Sequence, residues 1–503
     1  MTLTRPTHRD QPSEAVGFPP LVEPIEVGWL DRHPSKVLLA LVVVGSSVGL
    51  GVAIAVRPVA GVGVIVGVAL VLAVLRRPAF GGYVLAGVVP ITSGLRPGWP
   101  VPIFRLSELL IGTLCVTILL TASSRLSLRW RVLDWTLLTY VLLSILIGGY
   151  DLHHDNVHFT TSLVGTLAGP LQFLLLYRAV AISLPLRRQR NTALRLLLLG
   201  SVPVSILALL QQLRIGGVNR FIANITGSTI FQSYSYHFFA RATGPFNHWT
   251  PLAGYLLVIL LLGITLLLHG VEGVMSRRAM FLILGLAALG LLLSAELSAM
   301  ISLFAGSLIL GIWSGRLAFL LRWGLLIVIV LGVAFGSYLV QRLHTQYDVT
   351  AGSSGSAAVP QTINYRFQIW TQQYFPAIGA RPFDGYGPSL PPSITWPDTE
   401  SEYVTLLMWG GIPLLLSFVG MMWALFARAR SMARPDGDEP SRWAMARAVV
   451  VLVVVLYPIN AIFPYSTTGG LPQAMWVLVG ILIATEHGRE HRTEGVLSGA
   501  STV

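Results

Sequence analysis

The residues best able to do chemistry fall in two polar stretches, each running directly into an apolar one. The first holds Arg220, His237 and then Arg241-Ala-Thr-Gly244-Pro-Phe-Asn247-His248. The second holds Tyr365, Arg366 and Trp370, then Pro382-Phe-Asp384-Gly385-Tyr386-Gly387-Pro388, and ends with Asp398, Glu400, Glu402 and Tyr403. A guanidinium stays charged and presents a planar fork that matches phosphate. A carboxylate within reach of a hydroxyl can take its proton. Each type also has a structural reading. An arginine at a membrane edge reaches headgroups. Acidic residues in a first helical turn complement the dipole, with Asp398 as a cap. Aromatic residues near span ends form interface belts. Gly385 and Gly387 make a turn.

The elements that must position these residues are apolar helices. Hydrophobic residues are 54% of the 503 and charged residues 11%, against about 25% charged in soluble domains. That excludes a soluble enzyme, a disordered chain and a disulfide scaffold; the one cysteine, Cys115, cannot pair within the chain. A span takes about 20 apolar residues. On that basis spans are expected near 37–56, 59–76, 79–92, 105–121, 133–149, 162–182, 193–212, 251–269, 279–295, 297–312, 318–340, 403–427, 447–465 and 471–486. The predicted fold class is an all-α integral membrane protein, a polytopic bundle of about 14 transmembrane helices with two large extracytoplasmic loops.

The implied organisation is a cytoplasmic N-terminal tail over 1–36, transmembrane helices over 37–212, and an extracytoplasmic loop over 213–250. Transmembrane helices over 251–340, a large extracytoplasmic loop over 341–402, further helices over 403–486 and a cytoplasmic tail over 487–503 follow. The second loop opens Gly/Ser/Ala-rich and turns aromatic and amphipathic around Tyr365, Phe367, Trp370, Tyr374 and Phe375, as a helix lying on a membrane would. The net charge of +12 invites a nucleic-acid reading, but the arginines alternate with the spans rather than form one patch. With both termini cytoplasmic, most of them fall inside, as the positive-inside rule requires. The basic charge is then topogenic, with some attraction to anionic lipid and no nucleic-acid partner.

The order and spacing of the two polar stretches resemble the O-antigen ligase and Wzy-type polysaccharide polymerase superfamily. The resemblance runs over roughly residues 200–425. It rests on Arg241-x-x-Gly244-x-Phe246-Asn247 before a span, then Arg366 and Trp370, the Gly385/Gly387 turn, and an acidic helix start with Tyr403 and the Gly411–Ile412 pair. Ligases of the family carry a His-Asn pair where this chain has Glu400-Ser401, which is closer to the polymerase branch. The resemblance implies a GT-C-type membrane glycosyltransferase; no cofactor is expected, and no metal, because arginines can already neutralise the diphosphate. Such an enzyme would move a glycan, with inversion, from a polyprenyl-diphosphate-linked oligosaccharide to the hydroxyl of a glycan acceptor. The reaction would take place on the outer face of a bacterial cytoplasmic membrane, in cell-envelope polysaccharide synthesis.

On that reading Arg366, Arg241 and Arg220 bind the diphosphate. Glu400 is the base, with Glu402 as its rival. Trp370, Tyr365 and Tyr403 pack on sugars or carrier, and His248 joins the binding residues. Stabilising the charge that develops on the leaving group is the main way such a site can speed transfer.

Two other readings remain in play. A ligase would add a glycan once, to a lipid or another envelope acceptor. A flippase for lipid-linked oligosaccharide would need a polar cavity at mid-bilayer depth. No phosphate loop and no internal repeat supports ATP-driven or inverted-repeat transport. The cluster of Asp151, His153, His154, Asp155 and His158 reads as a solvated loop rather than a metal site. Asp398, Glu400 and Glu402 could act as hard ligands, but arginines can already neutralise a diphosphate. Glu108 and Asp134 are either functional or helix-end partners of a nearby arginine. Ser294, Glu296 and Ser298 mark a tight turn between spans.

Overall fold

The computed structural model describes residues 58–98, 105–121, 130–155, 160–232, 240–347, 361–396, 398–434 and 439–500. The chain divides into two units, residues 1–64 and 65–503. Of the first, only the start of a helix is described, and the span expected at 37–56 lies outside the described residues. His237, His158, Asp436 and Asp438 lie outside them too.

The described residues form helices and turns, with no strand among them. The helices are α1 (Pro58–Arg76), α2 (Pro78–Gly87), α3 (Leu106–Thr121), α4 (Val132–His154), α5 (Gly169–Ser183), α6 (Arg187–Gln212), α7 (Val218–Thr226) and α8 (Trp249–Leu268). They continue with α9 (Arg277–Ser294), α10 (Leu297–Trp313), α11 (Leu317–Tyr347), α12 (Gln361–Ile369), α13 (Phe375–Ala380), α14 (Glu402–Met432), α15 (Pro440–Asn460) and α16 (Leu471–Ala500).

Six of them, α4, α6, α8, α9, α14 and α15, are long and apolar enough to cross a membrane. In a bilayer the backbone must satisfy itself, and a helix does so within one segment. α3, α5, α10 and parts of α1, α11 and α16 are shorter apolar helices. Among the described residues these lengths leave the expected count of about fourteen spans unconfirmed. The segment expected at 79–92 is two helices, Pro78–Gly87 and Val89–Thr92, and the one at 162–182 is Thr161–Leu167 followed by Gly169–Ser183. Each break falls just before a proline, Pro90 or Pro170, which lacks an N–H and crowds the residue ahead of it.

α8 is apolar all round and buried along almost its whole length, so it is the central helix, as a helix without a polar face must be. α9, α15, α10 and α16 pack on it. His248 caps its N-terminus, accepting from the Thr250 N–H, and Ser276 and Ser401 cap α9 and α14 in the same way.

α14 is one helix broken at Gly410–Gly411, where Gly411 sits at φ 61°, ψ −160°. That region is open essentially to glycine alone. The turn 382–386 fills the break. Tyr386 N–H donates to Met408 O at 2.7 Å, and Ile412 N–H donates to Pro382 O at 2.8 Å. Gly385 permits the approach: at φ 75°, a Cβ there would lie 2.6 Å from Met408 O. The backbone groups freed by the kink are therefore paired inside the protein, as a broken membrane helix requires.

Candidate functional site

Arg241 lies in the extended segment before α8 and is buried. Its Nε donates to Ser294 O at 2.9 Å and its Nη2 to Ala295 O at 3.0 Å. Nη2 also meets Glu296 Oε2 at 2.7 Å, and the guanidinium lies 3.9 Å from the Trp249 ring centroid. The two carbonyls are available because α9 ends there, with Ala295 in the left-handed region at φ 48°. Glu296, just before α10, accepts from Ser298 Oγ at 2.7 Å, and Thr250 Oγ1, which lies 3.0 Å from His248 Nδ1, stands 3.4 Å from Glu296 Oε2. Since Ser298 gives its proton to Glu296, the Tyr465 hydroxyl must donate to Ser298 Oγ at 2.7 Å. Burial alone would raise the Glu296 carboxyl, but Arg241 and Ser298 hold it below its usual value.

His248 stacks on Phe463 and lies against Trp249. Burial, reinforced by Arg241, pushes its imidazole down to about 3, so it is neutral near pH 7. The backbone N–H of Thr250 donates to Nδ1 at 3.2 Å. A backbone N–H only donates, so Nδ1 is the acceptor and the ring proton sits on Nε2. His248 is thus a fixed neutral donor rather than a base.

The second group comes from 365–402. Arg366 Nη2 meets Glu400 Oε2 at 2.9 Å and its Nε lies 3.3 Å from the same oxygen. Both side chains are 20% exposed. Trp370, in a short π-helical turn over Trp370–Tyr374, donates Nε1–H to Thr399 O at 2.7 Å. π-turns recur at functional sites. Tyr365 packs edge-on against Trp396, and its buried hydroxyl has no hydrogen-bond partner among the described residues. Burial, with Glu400 and Asp398 nearby, pushes that hydroxyl's ionisation up. Glu400 itself is a non-glycine residue at φ 55°. Holding an L-residue there costs about 1–2 kcal/mol, and such outliers concentrate at functional sites.

A third segment, 461–470 between α15 and α16, joins the two groups. Glu402 is fully buried at the start of α14. Its Oε2 accepts from Ser466 N–H at 3.1 Å, Thr467 N–H at 3.2 Å and Thr467 Oγ1 at 3.2 Å. Tyr465, one residue earlier, reaches Ser298. The same end of the helices carries the 382–388 turn. Gly387 there lies against Gly148 and Asp151 of α4, and Arg381 forks onto Asp155 at 2.9 and 3.0 Å. Arg381 is therefore paired within the protein, and the pair holds the Asp155 carboxyl below its usual value.

Of the candidate residues, Arg241, His248, Arg366, Trp370, Glu400 and Glu402 thus belong to one hydrogen-bonded set of loops, and Tyr365 packs beside it on Trp396. Tyr403 donates to Tyr457 O at 2.6 Å beside it. Arg220 is exposed on α7. Glu108 and Asp134 are helix-end partners: they accept from the N–H groups of Arg105 and Arg131, and Asp134 also pairs with Arg178 at 3.2 Å. Glu296, Ser298, Thr250 and the 465–467 segment are the members the motifs do not mark. The signal available for Glu296 is a carboxylate flanked by apolar runs, which is costly unless paired.

Residues 280–419 match the family model described as O-antigen ligase. No curated protein matches the chain significantly. The matched stretch begins in α9 and ends in α14, so it contains Glu296, Arg366, Trp370, Glu400, Glu402 and the turn that fills the kink. The resemblance read from the motifs is therefore found independently in the half of the site that carries Arg366 and Glu400. Over residues 280–419, from α9 into α14, this membrane protein is similar to the O-antigen ligase family.

Proposed function

We propose that this chain is a metal-independent, inverting glycosyltransferase of the GT-C type. It elongates an envelope polysaccharide from a polyprenyl-diphosphate-linked oligosaccharide at the outer face of a bacterial cytoplasmic membrane, as a Wzy-like polymerase does. The observation that carries this reading is the partly exposed Arg366–Glu400 pair inside the family-matched stretch. An incoming diphosphate competes for the Arg366 fork, where it gains charge-assisted hydrogen bonds. Glu400, displaced from Arg366, is then free to take the acceptor's proton.

In the transfer step the acceptor hydroxyl oxygen bonds to the anomeric carbon as the bond to the phosphate oxygen breaks. The pair of electrons leaves with the polyprenyl diphosphate, and the proton goes to Glu400. Arg366 meets the charge that develops on the leaving group. Arg220, exposed on α7, is a further diphosphate contact, and Arg241 acts from beneath as buried charge tuned by Glu296. His248 offers its Nε2–H to a phosphate or sugar oxygen. Trp370, Tyr365 and Tyr403 form the wall for sugar rings or carrier. Glu402, whose Oε2 is occupied by 466–467, anchors that loop rather than acting as the base.

The test is transfer by the purified protein in lipid vesicles with a polyprenyl-diphosphate oligosaccharide, no added metal, and the variants Arg366→Ala and Glu400→Gln. A ladder of products lost in both variants, by at least about 100-fold, is the expected result. A single addition assigns the ligase reading instead. No transfer, with movement of the lipid-linked glycan between leaflets, overturns the enzyme.

A further inference from the structure

The N-terminal turns of α6 line an open recess of about 460 Å³ with Arg187, Arg188, Asn191, Thr192, Arg195 and Gly273. The lining holds three guanidiniums and no carboxylate. Nearby arginines are used differently: Arg190 pairs with Glu439 at 2.8 Å, and Arg316 donates to Leu268 O. Arg195 is fixed by donating to Val274 O and Gly273 O, which places the 273–274 turn as the recess wall. Arg187 and Arg188 are exposed. α6 begins here, so its own first N–H groups add positive potential.

Depth gives the recess its meaning. The far end of α6 is tied to the candidate site: Gln211 accepts from Thr243 and Gly244 N–H at 3.0 and 2.7 Å. The helix has 26 residues, which at 1.5 Å per residue is about 39 Å. A bilayer with its headgroup regions is about 40–45 Å thick. With the site end of α6 at one membrane surface, the recess stands among the phosphates of the other leaflet. Its lining is positive, with Glu272 beside Gly273 the adjacent carboxylate in sequence, and it is large enough for a small headgroup.

We propose that this recess binds the phosphate group of an anionic phospholipid headgroup in the leaflet opposite the candidate site. Arg187 and Arg188 supply mobile forks and Arg195 a fixed wall. Asn191 and Thr192 are placed to hydrogen-bond the headgroup's hydroxyls. The assignment is independent of the transfer reaction.

The test uses the full chain in a non-ionic detergent, titrated with short-chain phosphatidylglycerol, phosphatidylcholine of equal chain length, or inorganic phosphate. Occupancy is read by native mass spectrometry. Phosphatidylglycerol is expected to bind in preference to phosphatidylcholine, and the double variant Arg187→Gln, Arg188→Gln to bind it roughly 10- to 30-fold more weakly, from about 1 kcal/mol per arginine. Both side chains are exposed, so the variant keeps its fold, which an unchanged thermal midpoint verifies. Equal binding of the two lipids, or an undiminished variant, overturns the site. Inorganic phosphate that binds as tightly as phosphatidylglycerol and displaces it overturns the lipid assignment in favour of a free phosphate.

Discussion

Burial separates the two arginine–glutamate pairs of the site. Arg241 and Glu296 have side chains 8% and 15% exposed, whereas Arg366 and Glu400 are both 20% exposed and face a strained loop. Removing one partner of a buried pair strands a charge and costs about 3–5 kcal/mol, while pairs nearer solvent are worth about 0–1. Glu296→Gln should therefore lower the thermal midpoint sharply, and Glu400→Gln should leave it close to wild type while abolishing transfer. The reverse order in a melting measurement sinks this division of roles. His248 has a different signature. Its pKa falls from 6.5 unfolded to about 3 in the fold, so the unfolded chain binds a proton that the native one refuses. Stability then declines as pH drops from 6.5 towards 3, by up to about 1.4 kcal/mol per unit for one proton. His248→Gln, which removes that proton, should flatten the midpoint's slope between pH 6.5 and 5. An unchanged slope would mean the ring is protonated in the native state.

At the scale of elements, the decisive device is the turn 382–386 set into the break of α14. A Cβ on Gly411 would lie 2.5 Å from Pro382 O and 2.6 Å from Phe383 C, with the backbone in a region other residues avoid. Gly411→Ala should cost on the order of 1–3 kcal/mol from backbone strain alone. It should also pull the turn, and with it the 389–400 loop that carries Glu400, out of register. Lowered stability together with lost transfer is the expected pair, and Gly420→Ala, a site with open space around it, is the control. A Gly411→Ala protein with wild-type melting and transfer would show the lock to be dispensable. The motifs make the ingredients of this lock legible: Gly385, Gly387 and Gly411 are visible as special positions, though not as partners. What joins them is a pair of hydrogen bonds between segments far apart in sequence, which spacing does not encode. Glu296 was legible as part of a tight turn between spans, but its pairing with Arg241 was hidden for the same reason. It lies 55 residues from Arg241 in sequence, and only the end of α9 brings the two together. The apolar helices themselves were legible where runs were long, as in α6, α8 and α14. Their ends and breaks were not where proline divided a continuous apolar run.

For the whole molecule, the question is which end of the helices faces out. One end gathers Arg241, Glu296, Arg366, Glu400 and the 465–467 segment. The other gathers Arg187, Arg188, Arg195, Arg190 with Glu439, and Glu486 bridged to Arg131 and Arg428. An excess of arginine marks the cytoplasmic side, and the outer-face transfer proposed above would need the candidate site at the opposite end. The two requirements agree, and they can be separated from each other by chemistry. The native Cys115 is buried with its Sγ against Leu175 O, so it contributes little background to thiol labelling. Phe383 is 68% exposed at the site end, and Arg188 is exposed at the other. In intact cells with a membrane-impermeant maleimide, Phe383→Cys should label at once and Arg188→Cys only after the membrane is opened. Labelling of both from outside would mean that α6 does not span. Labelling of Arg188→Cys alone would invert the protein, place its carboxylates beside cytoplasmic substrates, and leave the proposed outer-face polymerisation without a site. The expected pattern, by contrast, puts the anionic-lipid recess in the inner leaflet, so that lipid bound there reports on the same α6 whose far end holds Thr243 and Gly244 beside Arg241.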